Sequence, residues 1–132
     1  MNRTMGLPDL GVIGWPLETT YSPVMQQAAL DSTGLRWRYE RIPVHPSDLG
    51  RFMEHAAHEM RGFNVTMPHK RTVSQFCDSV DDLASLSGAV NTVVCSNNQP
   101  SEALHGHNTD ASGLLLALRA RTAFEAEGAR VL

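Results

Sequence analysis

No apolar run in this sequence approaches the roughly 20 residues that a membrane-spanning helix needs, so a membrane-embedded role is not expected. Met1 to Leu10 lacks the charged-then-apolar layout of a secretion signal, and the expected location is the cytoplasm. Cysteine is scarce. Cys77 and Cys95 stand alone, with neither a CxxC pair nor a disulfide framework, and two reduced thiols are expected. Basic clusters are also missing, and the net charge is -3, which argues against nucleic acid as the main partner. There is no internal repeat and no low-complexity segment. What remains is 132 residues, 42% of them hydrophobic, a length and composition suited to one globular domain with a real core.

Strand-like and helix-like segments alternate along the chain, the pattern of an α/β domain. Leu10 to Trp15 reads as a buried strand closed by Pro16. Ser22-Pro23 opens a helix to about Thr33, with Ser suited to the N-cap, Pro to the first helical position and Gly34 to the exit. Trp37 to Val44 alternates as a second strand. From Ser47, apolar residues at Leu49, Phe52, Met53, Ala56, Ala57 and Met60 mark one face of a helix. Arg61 to Thr66 is a third strand, followed by helical pieces over Lys70 to Cys77 and Val80 to Leu86. Ala89 to Cys95 and Ala103 to Asn108, joined by a turn-rich stretch from Ser96 to Ser101, read as an antiparallel hairpin. A last helix starts near Asp110. The expected fold is an open, mostly parallel twisted sheet with one antiparallel strand and helices on both faces.

The stretch Asn64-Val65-Thr66-Met67-Pro68-His69-Lys70 breaks local rules where a buried strand should end. Asn is depleted in strands, and a Lys is poorly placed where a helix is about to start. Such conflicts mark functional or strained sites. Ligands of open α/β sheets gather beyond the carboxyl ends of the parallel strands. Thr20 and Ser22 follow the first strand, Asn64, Thr66 and Lys70 lie at or after the end of the third, and Asp110 follows the last. Asn91 opens the reversed strand, so it falls on the same edge. Hydroxyls beside a helix N-terminus suit a carboxylate, Asn amides suit ring hydroxyls, and a Lys beside an Asp can move a proton on a hydroxyl or carbonyl. A neighbouring carboxylate favours the charged amine, which suits Lys70 to donating a proton rather than abstracting one.

These residues resemble the shikimate dehydrogenase family, which makes and uses shikimate with NADP. Gly62-Phe63-Asn64-Val65-Thr66-Met67-Pro68-His69-Lys70 is similar to its GxNVTxPxK signature, Gly88-Ala89-Val90-Asn91-Thr92 to its GAxNT motif, and Asn108-Thr109-Asp110 to its NTD motif. The resemblance implies Lys70 and Asp110 as the catalytic pair. It implies that Asn64, Thr66 and Asn91 hold the substrate ring and that Thr20 and Ser22 hold its carboxylate. Thr20 stands where the family usually has Ser, Gln26 where a His is common, and Ala111 where a Gly is usual. Residues 1–127 would form the substrate-binding domain. Gly128 to Leu132 resembles the first strand of a dinucleotide-binding domain, cut before its Gly-rich loop, so no cofactor-binding residue is expected in this chain.

Blander roles compete with these. Asp110 and Ser22 could serve as helix caps, Lys70 as a solvated surface residue, Thr20 as a loop residue, and Asn64 and Asn91 as turn stabilisers. The pairs His55/His58 and His105/His107 lack a third ligand at a recognisable spacing, and no metal site is expected. His69 reads as a variable position inside the signature. The expected reaction is reduction of 3-dehydroshikimate with NADPH by the complete enzyme, the partner a small molecule and this chain alone inactive. A stand-alone shikimate- or quinate-binding module, and a quinate or aminated-analogue dehydrogenase, are the rival readings. Oligomeric state is not set by the sequence; a homo-oligomer is compatible with it.

Overall fold

The computed structural model of the chain describes residues 6–96 and 103–130. Six strands form one sheet in the order β2-β1-β3-β5-β6-β4. They are β1 (Leu10–Gly14), β2 (Tyr39–Pro43), β3 (Gly62–Val65), β4 (Ser79–Val80), β5 (Thr92–Cys95) and β6 (Leu104–His107). β1 runs parallel to β2 and β3, and β4 parallel to β6. β5 alone runs against its neighbours β3 and β6. The mostly parallel sheet with one reversed strand is therefore the architecture found.

Residue alternation assigns the two faces of the sheet. Ile13, Phe63, Val65 and Val93 pack with Phe52, Met53, Ala56 and Met60 in the main core. Those last residues come from α2 (Leu49–Glu59) and its exit, at the spacing read from the sequence. On the other face Val12, Leu17 and Tyr39 form a small second cluster, with Leu10 and Leu30 against it. Leu30 belongs to α1 (Ser22–Ser32). Because Val12 is in register with Asn64, Asn64 lies on this thinner face. α3 (Asp82–Ser87) and α4 (Asp110–Arg121) complete the fold. No helix among the described residues is long and apolar enough to cross a membrane.

Two expected helices are different in fact. Residues 70–77 form turns and a short 3-10 segment, Val73–Phe76, tied down by His69, whose carbonyl accepts the N–H groups of Thr72 and Val73. The helix expected from Val80 starts instead at Asp82. The Asp81 side chain accepts the N–H of Ala84 at 2.7 Å, which fixes the helix start. Ser79–Val80 pair with His105–Gly106 and become β4. α3 ends at Gly88, whose φ of 65° is the left-handed conformation glycine adopts freely. The turn expected between β5 and β6 lies, beyond Ser96, outside the described residues. Residues 128–130 are turn and coil, and Val131 and Leu132, where the final strand was expected to continue, lie outside the described residues.

Candidate functional site

The ends of β1 and β3, the start of α1, the residue before β5 and the start of α4 enclose a cleft of about 250 Å³. Val12, Ser22, Gln26, Asn64, Thr66, Lys70, Asn91 and Asp110 are among its lining residues. Six of the seven expected site residues thus meet in one place. The seventh, Thr20, is not part of the lining; its Oγ1 accepts the backbone N–H of Ser22 at 3.2 Å.

Lys70 reaches the cleft because its backbone is held. Its carbonyl accepts the N–H of Val90 at 2.7 Å, which ties the signature loop to the segment before β5. His69 beside it is 1% exposed, and its Nε2 bonds the carbonyl of Val44 at 2.7 Å. The imidazole is therefore a buried peg for the loop. Close approach also matters here, because a Cβ on Gly14 would lie 2.6 Å from Thr66 Cγ2 and 2.9 Å from the carbonyl of Met67.

Lys70 Nζ donates to Asp110 Oδ2 at 2.7 Å. The other carboxylate oxygen accepts Asn91 Nδ2 at 2.8 Å. The hydrogen bond from Lys70, then that from Asn91 and the charge of Lys70, hold the Asp110 carboxyl below the usual carboxylate range against a partial-burial effect of opposite sign. Both groups keep access to water, with side chains 33% and 55% exposed, so a bound molecule can reach the pair.

The capping roles fall elsewhere than expected. Thr109 occupies the N-cap position of α4 without a side-chain bond. Asn108 Oδ1 instead accepts the N–H groups of Asp110 and Ala111 at 3.0 and 3.1 Å. The Asp110 carboxylate is thereby released from capping. Ser22 is the first helical residue of α1, after Tyr21 at the N-cap, and the local bond there comes from Thr20. Asn91 does both kinds of work: its Oδ1 accepts the Thr109 N–H at 3.0 Å while its Nδ2 supports Asp110. Asn64 bonds across strands rather than within a turn, donating to Thr92 Oγ1 at 3.1 Å and accepting from the Tyr39 hydroxyl at 2.7 Å. Sequence reasoning missed Tyr39, Thr92 and Asn108 as supports; only the NTD and GAxNT motifs hinted at the last two.

Larger hollows lie elsewhere, of about 460 and 520 Å³. Three polar groups of the first are engaged locally: His45 with Ser47, His55 with the Arg51 carbonyl, and Glu59 with the N–H of Leu7. The second is lined mainly by Leu114, Leu115, Leu118 and Phe124. Neither joins an acid, an ammonium and amides, and chemistry rather than volume selects the 250 Å³ cleft. His105 and His107 bond Ser79 Oγ and Asp81 Oδ2, and among the described residues no three His, Cys, Asp or Glu side chains converge as a metal site would require.

The model of the shikimate dehydrogenase substrate binding domain matches residues 12–93. The chain is 40% identical over 124 residues to shikimate dehydrogenase (NADP(+)) of Geobacter metallireducens, covering 93% of this chain and 42% of that protein. It superposes on the shikimate dehydrogenase of Aquifex aeolicus with a TM-score of 0.79, at 34% identity over 92% of this chain and 44% of the other. The shikimate 5-dehydrogenase of Thermus thermophilus, solved in complex with shikimate, gives a TM-score of 0.77 at 36% identity over 86% of this chain and 42% of the other. The chain thus spans less than half the length of these relatives, and across that span it belongs to the shikimate dehydrogenase substrate-binding domain family.

Proposed function

We propose that the cleft binds shikimate and its 3-keto form, and that this chain is the substrate-binding part of an enzyme interconverting them. The observation that carries the reading is the Lys70–Asp110 pair, 2.7 Å apart at the edge of a cleft lined by amides and hydroxyls. In reduction of the ketone, NADPH would supply the hydride to the carbonyl carbon, and the Lys70 ammonium gives the proton to the carbonyl oxygen as negative charge develops there. Asp110 holds that ammonium in place. In the reverse direction the amine takes the hydroxyl proton back. Asn64, Thr66 and Asn91 hold the ring hydroxyls. Ser22 at the first turn of α1, with Thr20 behind it, holds the carboxylate through its hydroxyl at the positive end of the helix dipole.

The relatives' names include NADP(+). The cleft here does not fit a dinucleotide: it holds about 250 Å³, and its lining contains no glycine-rich turn for a pyrophosphate. The contribution of these residues is substrate binding and proton transfer, with the cytoplasm as the proposed location.

Titration of the chain with shikimate, followed by NMR, tests the reading. Shifts should concentrate at Ser22, Asn64, Lys70, Asn91 and Asp110 and be lost in Lys70→Ala/Asn64→Ala. Saturation by quinate but not shikimate would move the assignment to the rival substrate. Shifts at neither ligand, or shifts confined to the hollow around Phe52 and His55, would end it.

A further inference from the structure

The cleft depends on a residue that does not line it. Tyr39 opens the edge strand β2, two strands away from Asn64. Its ring packs in the small cluster with Val12 and Leu17, crossing the face of β1, and the residue is 7% exposed. A buried phenol needs a partner for its hydroxyl, and here that partner is Asn64 Oδ1 at 2.7 Å.

The orientation of this contact is fixed from the far end of a chain of hydrogen bonds. The Thr109 backbone N–H can only donate, and it points to Asn91 Oδ1 at 3.0 Å. Asn91 Nδ2 must then face Asp110 Oδ1, 2.8 Å away. Thr92 Oγ1 lies 3.1 Å from the same Asn91 Oδ1, so its one proton goes there. Thr92 Oγ1 can therefore only accept from Asn64, which turns Asn64 Nδ2 toward it at 3.1 Å. Asn64 Oδ1 is left facing Tyr39, whose hydroxyl supplies the proton. Burial lifts that phenol to about 12, so it remains a donor across the working pH range. Asn64 Nδ2 makes one further hydrogen bond, a long one of 3.4 Å to the Asn91 carbonyl, and the residue lines the cleft.

We propose that Tyr39 is a positioning residue for the cleft: its hydroxyl holds the already oriented Asn64 amide in place and closes a directed chain of hydrogen bonds ending on the Asp110 carboxylate opposite Lys70. The function of that contact rests on the reading of the cleft as a shikimate site. Without the hydroxyl, Asn64 Oδ1 loses its buried donor, and the amide, held only through Nδ2, can shift away from the position the ligand needs.

Tyr39→Phe keeps the ring and removes only the hydroxyl. Two measurements on the 132-residue chain decide the matter. The first needs no ligand: the side-chain amide signals of Asn64 should shift and broaden in Tyr39→Phe while the backbone spectrum of β1 and α2 stays in place. The second is shikimate affinity, which should fall about 3- to 10-fold, the worth of one hydrogen bond. In an Asn64→Ala background, Tyr39→Phe should then change affinity less than about 2-fold, because its route to the ligand is gone. Unchanged Asn64 signals with unchanged affinity would overturn the proposal. So would an affinity loss that simply adds to that of Asn64→Ala, which marks a general structural effect. A wild-type chain that binds no shikimate would overturn the reading of the cleft, and the amide signals would then decide alone whether Tyr39 holds Asn64.

Discussion

Lys70 and Asp110 come from segments 40 residues apart and meet at 2.7 Å because each is held by its own backbone anchor. For Lys70 the anchor is the bond from the Val90 N–H to its carbonyl; for Asp110 it is the Asn108 cap on the first turn of α4. If Lys70 is the proton donor, Lys70→Ala in the complete enzyme should lower kcat by about 10²- to 10⁴-fold while changing KM far less. Lys70→Arg should also be slow, since a guanidinium stays protonated and places its donors differently. Steady-state kinetics of both variants checks this, and a wild-type kcat in either would remove Lys70 from the chemistry. The same pair leaves a mark on stability. The Asp110 carboxyl titrates lower in the folded chain than in the unfolded one, so it stabilises the fold above the unfolded value of about 3.9. That contribution is lost as the pH falls through the folded pKa. The melting temperature should drop as the pH falls below about 4, and Asp110→Asn should flatten part of the drop while leaving the fold near neutral pH intact. Asp81, lowered by the Ala84 N–H and then by Asn108 and His107, adds to the same acid limb and should be measured alongside.

At the scale of elements, α4 is attached mainly through its first turn. The hub is Asn108, buried, donating to Ser87 Oγ and the Ala89 carbonyl while accepting two helix N–H groups. Asn108→Ala leaves several of these groups without a partner and should cost about 2–4 kcal/mol in chemical denaturation. Asp110→Asn, two residues further on and not a cap, should cost less than about 1 kcal/mol at pH 7. Equal losses would show that the capping assignment is wrong. The contrast also shows what a one-dimensional reading can see. α2 was legible because Leu49, Phe52, Met53 and Ala56 repeat at the helical period and all end up buried. The reversed strand was legible because Asn, Pro and Ser turn residues separate two short β-like runs. β4 was not, since two residues become a strand only by meeting His105 and Gly106 in space. Residues 70–77 have no strong period, and the buried His69 decides their path. In the site, motif residues were readable one by one, whereas Tyr39 and Thr92 depend on which strands lie side by side and in what register.

For the whole molecule, the two faces of the sheet are unequal, and the cleft lies on the weaker one. The α2 face carries the main core, from Ile13 and Val65 to Val93 and Leu104. Among the described residues the opposite face buries only Val12, Leu17 and Tyr39 as a core cluster, with Leu10 and Leu30 partly buried against it, and neither α1 nor α4 buries a residue fully. Leu114 and Leu116 of α4 are 63% and 65% exposed. Local opening is cheapest where little apolar surface is lost. Amide hydrogen exchange should therefore be slowest in β1, β3 and β5, slow in α2, and faster by about 100-fold or more through the second half of α4. The first turns of α1 and α4 form the rim of the cleft, so saturating shikimate should slow exchange there and leave α2 unchanged. A ligand held by the loops and helix starts also stabilises the folded state by mass action, about 2.7 kcal/mol at 100 times Kd. Mass spectrometry of the exchanging chain with and without shikimate reads both effects. If α4 is protected as strongly as α2 in the free chain, its leucines are covered in solution; if protection by ligand appears in α2 instead, the cleft that holds Lys70 and Asp110 is not where the ligand sits.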